Sequence, residues 1–455
     1  MTSTLSRRAF GLATLSTPFW AHAQVALPAL PLAERRLANG LHVIGLPVPG
    51  AGNVAVQVWY QVGGKDDPAG RSGFAHLFEH IMFKRTKHLP NEAFDRLTED
   101  VGGSNNAFTA SDVTAYQNEV PANHLERLLW AEAERLQHLQ VDQANFDSER
   151  DVVKEELRER VEADPYGPLF NALPGLAYQR HPYRRPPIGS IRDLDAATLD
   201  DVRRFHTTWY RPDNAVLIVA GGYAPADLDR WVDRHFGPVP RPAAPLPRVR
   251  VAEPRRTAPR RVALTGPTVP LPALALLWQA PRAGAADAPA LQVASALLSS
   301  GESSRLNEAL VYRAQIAQSA GLWSDLNAEA GMLAAYAVAA SGQPLPKLEA
   351  ALRAEIRRLA TQPIPPDELD KVRTQLLTSV VAARQTPAGQ AEAVGWALVN
   401  HGDARQADGE ITRLQAVTAA DVQRVLRQYV LERPAVSVHY TQAPATQPAK
   451  KGGRA

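Results

Sequence analysis

The segment of this 455-residue chain whose residue types and spacing most directly imply chemistry is His76-Leu77-Phe78-Glu79-His80. On a helix, residues four apart lie on one face, one turn above the other, so His76 and His80 can turn two imidazoles toward one ion. Neutral imidazole binds Zn²⁺ at about 2.0–2.1 Å, and a catalytic zinc takes three protein ligands while keeping one position open for water. Glu79, next to His80, can reach such a water without being a ligand, which makes it the candidate general base. The competing reading is a helix whose two histidines and glutamate merely pair with one another.

A third ligand must come from elsewhere, and the strongest acidic helical run downstream is Glu149-Arg150-Asp151-Val152-Val153-Lys154-Glu155-Glu156-Leu157. Glu149, Val152, Val153 and Glu156 fall at i, i+3, i+4 and i+7 on one face, whereas Glu155 is turned away by about 100°. Glu156 is therefore the expected ligand. Glu149 is expected to accept a hydrogen bond from a ligand imidazole and fix its tautomer. His42, His206 and His235 stand alone and are expected to be structural or surface groups.

The elements that must position these residues read as a mixed α+β chain. The Asn39-Gly40 turn between short apolar runs, followed by Val54-Ala55-Val56-Gln57-Val58-Trp59-Tyr60, predicts sheet strands and a hairpin. Helical patterns follow around residues 72–84, 91–101, 122–138, 143–162 and 198–208, and then an apolar strand at 215–220. From Gly237 to Arg261 the chain is crowded with Pro and Arg and has neither period, which predicts a linker between two halves. The second half echoes the first. Thr198-x-x-Asp201-Val202 and Tyr210 recur as Thr418-x-x-Asp421-Val422 and Tyr429, and Glu149 to Glu156 aligns with Glu368 to Gln375 within one residue, which points to a duplication. The expected units are 32–236, a linker at 237–261, a homologous unit at 262–441, and a disordered tail at 442–455.

Composition narrows the function classes. Hydrophobic residues make up 45% and charged residues 21%, an ordinary globular balance with ample material for a core. Lys plus Arg is 50 against 47 for Asp plus Glu, and the basic residues are scattered, so nucleic acid is not an expected partner. The absence of cysteine excludes disulfides, thiolate metal sites and a cysteine nucleophile. At the N-terminus, Arg7-Arg8 precedes an apolar run to Trp20, and Ala21-His22-Ala23 has the small-x-small cleavage pattern. Residues 1–23 are read as a twin-arginine signal peptide, which predicts a periplasmic protein. No later segment is long and apolar enough to span a membrane.

Several ordered motifs then make the chain recognisable. Gly73-Phe74-Ala75-His76-Leu77-Phe78-Glu79-His80 is followed by Phe83-Lys84-x-Thr86, Gly102-Gly103-x-Asn105-Asn106-Ala107-x-Thr109, Glu149 to Glu156, His181-Pro182-Tyr183 and Ser303-Ser304-Arg305-Leu306. From about Leu37 to Tyr440 the chain resembles the pitrilysin family of inverted-motif zinc metallopeptidases, most closely its processing-peptidase-like bacterial branch. That resemblance implies two homologous α+β halves in tandem, forming half of a clamshell chamber, with one zinc ion held only by the first half. It places the family's distal glutamate on Glu156, the residue also selected by helical periodicity. It further implies that unfolded peptides bind along a sheet edge, here 103–114, with Asn106 and Ala107 contacting the peptide.

One departure bears on assembly. After the Ser-Ser-Arg-Leu motif, family members usually carry an Arg and a Tyr seven apart that bind the substrate backbone and the developing oxyanion. Those positions are Val311 and Gln318 here. The expectation is therefore a zinc endopeptidase that acts as the catalytic subunit of a two-chain enzyme, with a similar second chain supplying the Arg and Tyr. A homodimer is the second expected assembly, and a non-catalytic chamber subunit supporting an active partner is the alternative function.

Overall fold

The structure is a computed structural model that describes residues 26–444. The signal-peptide reading of 1–23 and all of the tail beyond residue 444 lie outside the described residues. The first half builds a six-stranded sheet from β1 (Ala33–Arg36), β2 (His42–Pro47), β3 (Asn53–Tyr60), β4 (Ser104–Thr109), β5 (Thr114–Pro121) and β6 (Ala215–Gly221), in the order β1-β2-β6-β3-β5-β4. The second half builds a five-stranded sheet from β7 (Arg260–Gly266), β8 (Ala273–Ala280), β9 (Ala317–Leu326), β10 (Gly331–Ala339) and β11 (Val436–Gln442), in the order β7-β11-β8-β10-β9.

Apart from the extra β1, the two sheets have one topology. In each, the opening strand runs parallel to the closing strand, β2 with β6 and β7 with β11, and every other pair is antiparallel. The repeated Thr-x-x-Asp signature has a local cause. Thr198 and Thr418 each cap a helix in a reciprocal box with Asp201 and Asp421, just before β6 and β11. The predicted helices appear at Phe74–Ile81, Ala93–Glu99, Leu125–His138, Gln143–Leu157 and Leu199–Trp209.

The two halves are tied by an exchange of helices that the sequence pattern did not reveal. Strand periodicity sends Val54, Val56, Val58 and Tyr60 of β3 to one core and Trp59 to another on the opposite face. That opposite face is covered by a helix of the second half, Pro387–His401, through Ala391, Val394 and Ala397. Gly395 makes the contact possible, since a β-carbon there would lie 2.2 Å from the Trp59 ring. Reciprocally, Leu169, Leu173 and Ala177 of the first-half helix Gly167–Ala177 pack on Ala275, Leu277, Val436 and Val438 of the second sheet. Residues 237–259 contain no helix or strand but are fastened to the surface. Arg211 donates to the carbonyls of Pro242 and Ala244, and Glu253 accepts from the N–H groups of Gln179, Arg180 and His181. The second unit's last strand runs to Gln442, whose side-chain oxygen accepts from the Val269 N–H, so order extends past the expected start of the tail.

Candidate metal centre and active site

The helix Phe74–Ile81 begins where two backbone segments cross. Gly73 has φ 86°, and a β-carbon on it would lie 2.8 Å from the Ile188 carbonyl, so glycine meets both demands. Asp67 closes the helix start by accepting from the N–H groups of Gly73 and Ala75, each at 2.8 Å. Burial pushes the Asp67 carboxyl up to about 7 against those two bonds. Phe74, Leu77, Phe78 and Ile81 bury one side of the helix in the first-half core, which leaves His76 and His80 facing the neighbouring helix Gln143–Leu157.

There His76 Nε2 and His80 Nε2 lie 3.5 and 3.3 Å from Glu156 Oε2. Ligand atoms at about 2.0–2.2 Å around a tetrahedral ion stand about 3.3–3.6 Å from one another, so both histidine–glutamate separations match edges of such a tetrahedron. Among the described residues, His76, His80 and Glu156 are the group of three able to hold a metal ion. Neutral imidazoles and a carboxylate are the donor set that suits zinc. Burial lowers the His76 pKa to about 4, which keeps its nitrogen lone pair available at neutral pH. His80 is also desolvated, but Glu149, Glu79 and Glu156 around it outweigh burial and raise its pKa.

The helical-face argument separated neighbouring glutamates in the same way as the fold does. Glu155 is exposed and paired with Arg158 at 2.8 Å, while Glu156 sits in the cluster. Glu149 Oε2 lies 3.6 Å from His80 Nδ1, and its other oxygen accepts from Lys84 Nζ at 2.7 Å. The Lys84 contact gives a role to a motif residue that sequence reasoning left without one. Among the described residues, His76 Nδ1 is buried without a hydrogen-bond partner, so only one of the two imidazoles has a carboxylate behind it. Arg160, in the turn beyond the helix, holds Glu156 Oε1 at 2.8 Å.

Glu79 points from the same helix toward the sheet edge. Its pKa is raised by burial, opposed by a 2.5 Å hydrogen bond from Thr109 Oγ1 and by the nearby His80. A carboxyl raised in this way is better matched to proton transfer near neutral pH. Thr109 ends β4, one of the two edge strands of the first sheet. It stood in a quoted motif, but nothing in the spacing showed that its hydroxyl reaches Glu79. Asn106 and Ala107 lie on this same edge strand, where the Asn106 side-chain oxygen accepts from the Ala107 N–H at 2.9 Å. A peptide strand accepting from that N–H would displace the Asn106 side chain.

The positions expected for the Arg and Tyr hold neither function. Val311 packs partly buried against the second-half core, and Gln318 is exposed on β9. Tyr312 is exposed, and Arg313 pairs with Glu308 at 2.9 Å. His206 stacks on Phe78 and His42 pairs with Glu34, and neither belongs to the group of three around Glu156.

Comparison with known proteins agrees with this class of fold. Residues 48–190 match the family model described as Insulinase (Peptidase family M16), and residues 196–376 match Peptidase M16 inactive domain. The chain belongs to peptidase family M16. It is 33% identical to "Zinc protease PqqE" of Helicobacter pylori over 77% of this chain and 79% of that protein. It is 25% identical to "Probable mitochondrial-processing peptidase subunit beta, mitochondrial" of Arabidopsis thaliana, over 87% of this chain and 76% of that one. A solved protease from Helicobacter pylori superposes with a TM-score of 0.87 at 27% identity, covering 91% of this chain and all of that one.

Proposed function

We propose that this protein is a zinc-dependent endopeptidase that cleaves unfolded peptides, with His76, His80 and Glu156 as ligands of one Zn²⁺ and Glu79 as general base. The observation that carries this reading is the convergence of three ligand atoms within 4.8 Å of one another, with the imidazoles of His76 and His80 at 3.5 and 3.3 Å from the Glu156 carboxylate. A bound zinc ion supplies Lewis-acid polarisation of the scissile carbonyl and a more acidic water. Glu79 takes the proton of the attacking water and returns it to the leaving amine, while the Thr109 hydroxyl holds the carboxylate in place. The peptide lies extended along β4, with Asn106 and Ala107 meeting its backbone. Zinc content of the purified protein together with cleavage of a long unfolded peptide tests the reading. A chain that binds zinc yet cleaves nothing, alone or with a similar chain, would favour the non-catalytic chamber subunit.

The site as described lacks the second half's Arg and Tyr, and this supports a two-chain enzyme. Removing one oxyanion donor costs hydrolases about 10²–10³ in turnover, so the lone chain is expected to be slow. Adding a similar chain that carries the Arg and Tyr is expected to raise cleavage at least about tenfold, with Glu79 still required. Full activity as a lone monomer or as a homodimer, unchanged by the second chain, would remove the reason for that partner. Among the described residues no helix is long and apolar enough to cross a membrane. Export to the periplasm is part of the same proposal and rests on Arg7-Arg8 and the cleavage pattern after them. Replacing both arginines with lysine is expected to leave uncleaved precursor in the cytoplasm. Normal export of that variant would count against the twin-arginine route.

A further inference from the structure

The turn that joins β4 to β5 is gripped at Asp112 by groups from both halves of the molecule. Asp112 Oδ1 accepts from Lys65 Nζ at 2.8 Å and from the Tyr183 hydroxyl at 2.5 Å, and Oδ2 accepts from the Ala328 N–H at 2.9 Å. Glu329, in the turn between β9 and β10, accepts from Lys65 Nζ at 2.8 Å and pairs with His181 Nε2 at 2.9 Å. The Glu329 N–H donates to the Tyr183 hydroxyl at 3.1 Å. The backbone reinforces the grip, since Gly64 and Lys65 donate to the carbonyls of Ala110 and Ser111, each at 3.0 Å. Asp112 is 8% exposed, and a buried carboxylate bonded by three donors, one of them cationic, resists displacement.

This knot sits between two threonines. Thr109 closes β4 and donates to Glu79, and Thr114 opens β5 with its hydroxyl 3.4 Å from that of Thr109. We propose that Asp112 is a positioning residue that couples the second half's β9–β10 turn to the tip of the edge strand, and through Thr109 to Glu79. The inference rests on the catalytic reading of Glu79. It gives the non-metal half a task beyond closing a chamber, because the geometry of the peptide-binding edge depends on Ala328 and Glu329 being docked.

The test separates coupling from catalysis. Glu329→Ala removes a side chain that is a third exposed, so the full-length variant is expected to fold. Amide hydrogen exchange over residues 104–114, in the other half, is expected to rise at least about fivefold while 42–47 and 215–221 stay unchanged. A rise confined to 325–331 would overturn the coupling. On a long unfolded peptide, Asp112→Asn is expected to keep its zinc and lose about tenfold in kcat, with KM within about twofold. Combined with Thr109→Val it should cost no more than Thr109→Val alone, because both changes release the same carboxylate. Additive losses, or an unchanged kcat in Asp112→Asn, would overturn the positioning role. A wild-type chain that cleaves no peptide would overturn the catalytic reading and with it the positioning of Glu79, while the exchange arm still decides whether the two turns are coupled.

Discussion

Glu79→Gln is expected to keep its full zinc content and lose peptide hydrolysis by about 10²–10⁴, the range that a positioned general base supplies. The amide preserves the shape of the side chain and can still accept the Thr109 hydrogen bond, but it cannot take a proton from water. Glu79 lies outside the group that can hold the ion, so its loss leaves His76, His80 and Glu156 in place. The measurement is zinc by elemental analysis and turnover on a long unfolded peptide, with the same preparation used for both. A zinc-free Glu79→Gln would show that the residue is a ligand, and a variant with normal turnover would show that another group moves the proton.

Metal binding is expected to separate the carboxylates and imidazoles by a graded series. His76→Ala, His80→Ala and Glu156→Ala each remove one of the three proposed ligand atoms, and among the described residues no other such group of three is present. Zinc affinity should fall by far more in these than in Glu149→Gln, where loss of the partner behind His80 is expected to cost about 10–100-fold. Glu155→Ala should bind zinc as the wild type does, because that side chain faces solvent and pairs with Arg158. Competition against a chromogenic chelator gives the whole series. Greater metal loss at Glu155 than at Glu156 would invalidate the assignment of ligand by helical face, and a normal Glu156→Ala would remove the third ligand.

What could be read from the residues alone was local or periodic. His76, Glu79 and His80 fall on one helical turn, so their spacing is set by 3.6 residues per turn whatever surrounds them. The same period distinguished Glu156 from Glu155; in the fold Glu156 lies beside both imidazoles and Glu155 is exposed, though Val152, put on the same face as Glu156, is exposed as well. The tandem α+β halves were legible because capping boxes and strand patterns repeat in short stretches. Glu149 lies on the His80 side of its helix, but nothing in the motif that holds Lys84, 65 positions earlier, linked the two residues.

Tertiary structure alone decided the contacts between distant segments. Thr109 meets Glu79 only because β4 ends beside the His76 helix, and no spacing rule links an edge strand to a helix 30 positions before it. The exchange of helices Gly167–Ala177 and Pro387–His401 lay beyond any sequence period, since periodicity says that a face is buried but not which sheet buries it. Asp112 and Ala328 are 216 positions apart, and no motif or period in the sequence links them. Their bond exists because the two sheets are docked through the exchanged helices, a global property that is carried by the packed surfaces and not by any window of sequence.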